Sequence, residues 1–502
     1  MEIYFTDRGA IEDLANYGIS APQVALDLFN GLYIPDGMPF LLGDDGSYPE
    51  SINSWLRSLP SHGCTERGSW RGYGYDVLGF ANFIVQTGRG IDPILATLDD
   101  VVAYRDKRRN GSPPEVTATT MNRCLAALQK LFGWRKAHLG IDDPFHYRIV
   151  AGNPRNGRKA GKRNSLLERT GGSDAVRFIS LEEFQLFRDV GLRGCKPSPT
   201  PADPTRLVRD ADFVCRHGER NGLIADGLLN SGARVTEFLA VLLSEVPLDP
   251  KLFVLPGSSA IRLAAAATKT KLARDIRIPN SALRRIDHYS VYARSASIKA
   301  ALERGAYEGN RRLVLISPAG NGACQVARTG ARERYDTMNV ERRRSLMLWD
   351  HSGAAGPAVL FLTADGAPMT GDALRVIFAR ACQRCASFGI HLNVSPHVLR
   401  HSFAVIMLRL LSERWLRANG DPRRYRDAQG EDALRVAFNH PLLVVRDLLG
   451  HTSVESTFKY LTYITDTFTT FEAEFPKLAP FIETSADYAR SAARTRGMLE
   501  GA

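Results

Sequence analysis

Three short fragments in a fixed order near the C-terminus constrain this 502-residue chain more than any other feature. They are Pro396-His397-Val398-Leu399-Arg400-His401, then Leu448-Leu449-Gly450-His451, then Tyr460 nine residues after that histidine. Arginine offers a planar fork of donors that fits two phosphate oxygens, and histidine gives or takes a proton near neutral pH. Tyrosine can act as a nucleophile that becomes covalently bound. These are the parts needed to break a phosphodiester bond without a metal, provided the fold brings them together.

His397, Arg400 and His401 stand at i, i+3 and i+4, so a helix starting at Pro396 puts them on one face. By itself this fragment is equally a helix N-terminus with a hydrogen-bonding histidine. The second element decides otherwise. Leu448-Leu449-Gly450-His451, then Thr457, then Tyr460 completes a pattern that resembles the active-site signature of the tyrosine recombinases, the phage integrase family. Tyr463, one helical turn further on, falls outside that spacing and is expected to pack or stay exposed.

The resemblance implies further site residues. Leu228-Leu229-Asn230-Ser231-Gly232-Ala233-Arg234-Val235-Thr236-Glu237 matches the family's LLxxGxRxxE context. Arg234 would be a first phosphate-clamping arginine, and Glu237 would orient an active-site arginine through a charge-assisted hydrogen bond. A lysine in a β-hairpin would protonate the leaving 5′ oxygen. Lys269 and Lys271 both qualify, and two residues apart on a strand they point to the same side. The family's eight-residue interval to the closing proline, here Pro279, lands on Lys271. Catalytic roles thus fall to Arg234, Lys271, His397, Arg400, His451 and Tyr460, with Glu237 in support and no metal or other cofactor. His397 is expected to assist proton transfer with the tyrosine, His401 to pack, and His391 and His440 to be structural.

Charge divides the chain unevenly. Of a net +11, residues 1–60 hold nine acidic residues against Arg8 and Arg57, a net −7, which leaves +18 for the remainder. The acidic first sixty residues therefore read as a separate segment of unknown role, and the basic remainder as the part that meets an anionic partner. Over 61–150, Trp70, Tyr73, Val77, Phe80 and Ile84 recur at helical spacing. Further helices are expected from Asp99 and over Thr119 to Ala137. This order resembles the helical SAM-like core-binding domain of the recombinases. Residues 151–175 carry Arg155, Arg158, Lys159, Lys162 and Arg163 among glycines, the composition of an extended basic linker that contacts the DNA backbone.

Residues 176–475 read as a mostly helical catalytic domain opened by a capping box at Ser180 to Glu183, with one strand region over Phe253 to Pro279. Insertions are placed near 289–355 and 412–440, and a tail at 476–502. The fold class is mainly α with a small β-sheet, α+β.

Seven irregularly spaced cysteines argue against a disulfide framework, and Cys382-x-x-Cys385 has no second pair to complete a zinc site. No apolar run of 18 residues and no signal-like N-terminus is present, so a cytoplasmic, nucleoid-associated protein with no membrane partner is expected. The resemblance implies site-specific recombination of double-stranded DNA through a 3′-phosphotyrosyl link. It also implies a homotetramer on DNA, monomeric or dimeric when free, serving a mobile element. The alternatives are DNA relaxation of the type IB topoisomerase kind, and a catalytically silent DNA-binding regulator.

Overall fold

The computed structural model describes residues 1–7, 34–64, 66–111, 114–150, 161–168, 176–198, 207–214, 217–308, 310, 312–350, 353–419 and 440–461. The chain is mainly helical with small sheets and divides into two compact units, Met1–Gly172 and Ser173–Ala502.

In the first unit β1 (Glu2–Phe5) pairs antiparallel with β2 (Pro39–Leu42). Then come α1 (Glu50–Ser58), α2 (Arg67–Gln86), α3 (Leu98–Arg109) and α4 (Ala118–Leu139). Trp70, Val77, Phe80 and Ile84 of α2 are buried as their spacing requires, against Tyr104 of α3 and Leu125, Leu128 and Phe132 of α4. A Thr97–Asp100 capping box starts α3, and Gly140 in the left-handed region stops α4.

The same core takes in Met38, Leu41, Ile52, Trp55, Leu56 and Leu59, so the described part of the first sixty residues, 1–7 and 34–60, is not the separate segment that its charge suggests. Glu2, Asp44, Asp45 and Glu50 are exposed, while an apolar stripe on α1 and one face of β2 pack inward. The basic stretch is also revised. Gly161–Asn164 forms a strand, β4, paired with β3 (Tyr147–Val150), and Glu168 bonds Arg109. Residues 161–168 therefore pack on the first unit instead of running extended. Lys162 is exposed on that hairpin beside the half-buried Arg163, whereas Arg155, Arg158 and Lys159 lie outside the described residues.

The second unit begins with α5 (Leu181–Leu186), capped by Ser180 and Glu183, and a short hairpin of β5 (Cys195–Pro197) and β6 (Leu207–Arg209). Its central element is α6 (Gly218–Ser231), buried on nearly every side. Gly232 ends α6 at φ +59°, where a Cβ would come within 2.2 Å of the Phe403 ring. The chain then forms α7 (Val235–Phe238), α8 (Pro250–Phe253) and the hairpin β7 (Ser258–Leu263) and β8 (Arg274–Pro279). Next are α9 (Asn280–Tyr289) and α10 (Ser295–Glu303).

The insertion after 289 holds a five-stranded sheet that the sequence reading did not expect. Its strands β9 (Val314–Pro318), β10 (Ala323–Val326), β11 (Arg332–Arg334), β12 (Leu346–Asp350) and β13 (Gly353–Pro357) stand in the order β11-β10-β9-β12-β13. Between β11 and β12, α11 (Val340–Ser345) carries Arg343, which is 2% exposed, ion-pairs with Glu245 at 2.7 Å and donates to the Tyr335 carbonyl.

The unit closes with α12 (Gly371–Ser387), α13 (Pro396–Asn419), α14 (Pro441–Leu449) and α15 (Glu455–Phe458). Residues 412–419, read as the start of an insertion, continue α13; 420–439 lie outside the described residues. Phe403, Met407 and Leu408 of α13 pack with Leu442, Val445 and Leu449 of α14 and with Tyr460. Among the described residues no helix is long and apolar enough to cross a membrane.

Candidate active site

Local sequence sets each element that carries the site. Pro396 occupies the first turn of α13, and the Ser395 hydroxyl accepts the Val398 amide at 3.3 Å, which fixes where His397, Arg400 and His401 begin. His440 caps α14 in the structural role expected of it, with Nδ1 accepting the Leu442 amide at 3.3 Å and Pro441 following. Gly450 ends α14 at φ +63° and sends the chain back toward the core, so that His451 and Tyr460 face α13.

Arg234 is the N-cap of α7, and its Nη1 donates to Glu237 Oε1 at 3.0 Å. Glu237 is 1% exposed. It also accepts Arg274 Nη2 at 2.6 Å and the Lys269 backbone amide at 3.2 Å. Burial pushes the Glu237 carboxyl up, but Arg274 and then Arg234 outweigh it and hold it below the usual carboxylate range.

Arg400 is buried and held by two carbonyls, Nη1 on Gly232 at 2.5 Å and Nη2 on Leu449 at 2.7 Å. Burial, followed by the neighbouring cations Arg234 and Arg274, pulls its guanidinium down to about 9, so it remains a cation at neutral pH. His451 Nδ1 lies 3.0 Å from the Thr457 hydroxyl. Burial and then Arg400 and Arg234 lower His451 to about 3, which leaves it neutral. In the tautomer whose Nδ1 accepts from Thr457, Nε2 carries the proton and is a donor for an anion.

Tyr460 has no exposed surface, and burial pushes its phenol up to about 12 against the opposing pull of Arg400. Its hydroxyl lies 2.8 Å from His401 Nδ1. The residue expected only to pack thus touches the expected nucleophile. The His397 and His401 rings meet edge to face at 4.2 Å.

The lysines depart from expectation. They do not lie on a strand, because Ala265–Ala267 forms a 3₁₀ turn, and Lys269 and Lys271 fall in the connection before β8. Thr268 Oγ1 bridges the carbonyls of Ala265 and Leu272 there, and Lys271 sits at φ +55°. Both lysines are exposed, and the Lys269 amide ties this turn to Glu237.

Arg234, Glu237, His397, Arg400, His451 and Tyr460, drawn from four separate segments, therefore form one connected or electrostatically coupled group. Sequence reasoning missed Arg274. Its side chain is 6% exposed, its Nε and Nη1 have no hydrogen-bond partner among the described residues, and a Cβ at position 450 would lie 2.9 Å from its Nη1. The signal was present in Arg274-Asp275-Ile276-Arg277-Ile278, where alternation puts Arg274 on the face of Ile276 and Ile278. Among the described residues no group of three or more His, Cys, Asp or Glu is placed to hold a metal ion.

No family model matches the sequence, and a search of the curated proteins finds no match. Among solved structures the chain is similar to XerH site-specific recombinase bound to palindromic difH substrate in a post-cleavage complex. The identity is 13%, over 86% of this chain and 89% of that one, with a TM-score of 0.44. It is also similar to the Tn1549 transposon integrase in complex with circular intermediate DNA, at 13% identity over 85% and 98% and a TM-score of 0.40. A third similarity is to a lambda integrase dimer bound to a COC′ core site, at 12% identity over 83% and 96% and a TM-score of 0.37.

Proposed function

We propose that this chain is a tyrosine-type site-specific recombinase that cleaves and rejoins double-stranded DNA through a 3′-phosphotyrosyl intermediate. The observation that carries this reading is the meeting of three arginines, two histidines and a buried tyrosine contributed by α7, β8, α13 and the segment after α14. Tyr460 attacks the scissile phosphorus in line. Arg234, Arg400 and the His451 Nε2–H stabilise charge on the non-bridging oxygens, the kind of electrostatic contribution that is usually largest in such reactions. Lys271 protonates the departing 5′ oxygen, and His397 lines the site beside His401. Bond energy is retained in the phosphotyrosyl ester, so neither nucleotide nor metal is required. A 5′ hydroxyl of a second strand reverses the attack. Exchange between two duplexes, each cut at two positions, calls for four protomers.

The test is a nicked suicide duplex carrying the target site, incubated in excess EDTA. Wild type is expected to form a covalent adduct that Tyr460→Phe cannot form while still binding the half-site. An adduct that survives Tyr460→Phe, or one that strictly needs magnesium, would overturn the reading. Relaxation of a supercoiled plasmid without product from a two-site substrate would instead indicate topoisomerase-like action.

A further inference from the structure

Inside the site the Tyr460 hydroxyl bonds His401. The contact is 2.8 Å between two buried side chains, and α13 fixes the imidazole from below, one turn after His397. We propose that His401 is the catalytic proton acceptor for Tyr460, taking the phenolic proton at Nδ1 as Oη attacks and returning it on religation. This rests on the recombinase reading of the site.

The distance lies within the reach required of a general base, about 2.6–3.2 Å. In the tautomer with its proton on Nε2, Nδ1 has a free lone pair directed at the phenol. At neutral pH the acceptor starts empty and the donor starts loaded. Burial, then His397, Lys459 and Arg400, lower His401 to about 3, so it enters the reaction as a neutral base. Burial keeps the phenol protonated until something removes its proton.

The step balances. The Oη–P bond forms and the P–O5′ bond breaks, with its electron pair leaving on O5′. The phenolic proton passes to His401 Nδ1, and O5′ takes its proton from Lys271. On religation the incoming 5′ hydroxyl gives its proton to that amine, the Oη–P bond breaks and Nδ1 returns its proton to Oη. Nothing is consumed. The charged and titratable groups facing His401 are His397 and Arg400 on α13, His451 after α14, and Lys459 and Tyr460 after α15. An imidazolium formed among them is disfavoured, which favours prompt return of the proton.

The experiment uses the full chain as His401→Asn, whose Oδ1 can accept the tyrosine hydrogen bond but cannot take its proton. Single-turnover adduct formation on the suicide duplex is expected to fall ~10²–10⁴-fold, the usual contribution of a general base. The residual rate should rise about tenfold per pH unit, because hydroxide must now remove the proton. Difluorotyrosine at position 460, a more acidic phenol, should restore much of that loss. Half-site binding within about twofold of wild type shows that the variant is folded, and His401→Gln provides a second reading if the asparagine variant does not fold. A wild-type rate and pH profile in a folded variant overturn the proposal. So does a slowed rate with no pH slope and no gain from difluorotyrosine, which would make His401 a residue that only positions Tyr460. If Tyr460→Phe still forms the adduct, the recombinase reading fails first, and separately.

Discussion

Glu237→Gln removes one charge from the most connected carboxylate of the site, and its effect can be worked from the contacts. Glu237 holds Arg274, whose other guanidinium nitrogens have no partner among the described residues, and Arg234, whose side chain is 23% exposed. Breaking a buried ion pair by removing one partner costs about 3–5 kcal/mol. The partly exposed Arg234 pair adds roughly 1 kcal/mol or less. The amide oxygen of glutamine can still accept one guanidinium, so we expect about 3 kcal/mol, the lower end of that range. At about 2 °C per kcal/mol for a unit of this size, the thermal transition of the second unit should fall by on the order of 6 °C. The three arginines then repel with less compensation, and an anion in the site should restore more stability in the variant than in wild type. Scanning calorimetry with and without a short duplex carrying the half-site measures both effects. A transition within about 1 °C of wild type, or equal stabilisation of both proteins by DNA, would refute the account.

Two further outcomes are expected. His401 and His451, each lowered to about 3 by burial and nearby cations, bind fewer protons folded than unfolded between there and the ordinary value of about 6.5. Their contribution to stability is complete above that ordinary value and is lost as the pH falls below it, by at most about 1.4 kcal/mol per pH unit per histidine before solvent screening. Urea midpoints at neutral and acidic pH should show this slope, and the double asparagine variant should flatten it. Replacing Arg158, Lys159, Lys162 and Arg163 with alanine should weaken binding to all sequences alike. The log–log salt slope should become shallower by about 0.9 for each phosphate these side chains neutralise, and an unchanged slope would mean that they meet only solvent.

What the sequence made legible was local. His397 and Arg400 share a helical face, and Arg234 and Glu237 are one turn apart, so spacing alone declares these pairs. The partner of the Tyr460 hydroxyl was not legible. Both histidines of α13 present themselves at i and i+4, and which one meets a side chain 59 positions away depends on how α14 and Gly450 turn the chain. The lysine turn was misread for a related reason: Thr268 closes a 3₁₀ turn before β8, and three alanines give no strand or turn signal. Charge misled over residues 1–60, because net charge describes the solvated face while Ile52, Trp55, Leu56 and Leu59 set the packing. The inserted sheet was missed because its strands are three to five residues long, too short for alternation to stand out among the arginines.

Arg400 shows why the site needs guanidinium chemistry and not merely a cation. Its two terminal nitrogens hang from carbonyls on opposite sides, Gly232 at the end of α6 and Leu449 at the end of α14, so one planar group joins both helix ends without being neutralised. A lysine has one nitrogen in place of these two and cannot reproduce both contacts in the same geometry, and a buried carbonyl left without its donor costs about 1–3 kcal/mol. The same surroundings also act on its charge. They pull the arginine from 12.5 down to about 9 and still leave it a cation. A comparable shift on a lysine, ordinarily near 10.4, would bring it to roughly 7 and discharge much of it in the free protein. Arg400→Ala should slow adduct formation by the ~10²–10³-fold seen when one oxyanion donor is removed, about 2.7–4 kcal/mol. Arg400→Lys should recover less than about tenfold of that at neutral pH, a modest part of the same donor effect. Single-turnover rates on the suicide duplex decide the matter. A lysine variant close to wild type would show that the site asks only for positive charge, and that the two carbonyl contacts are incidental to it.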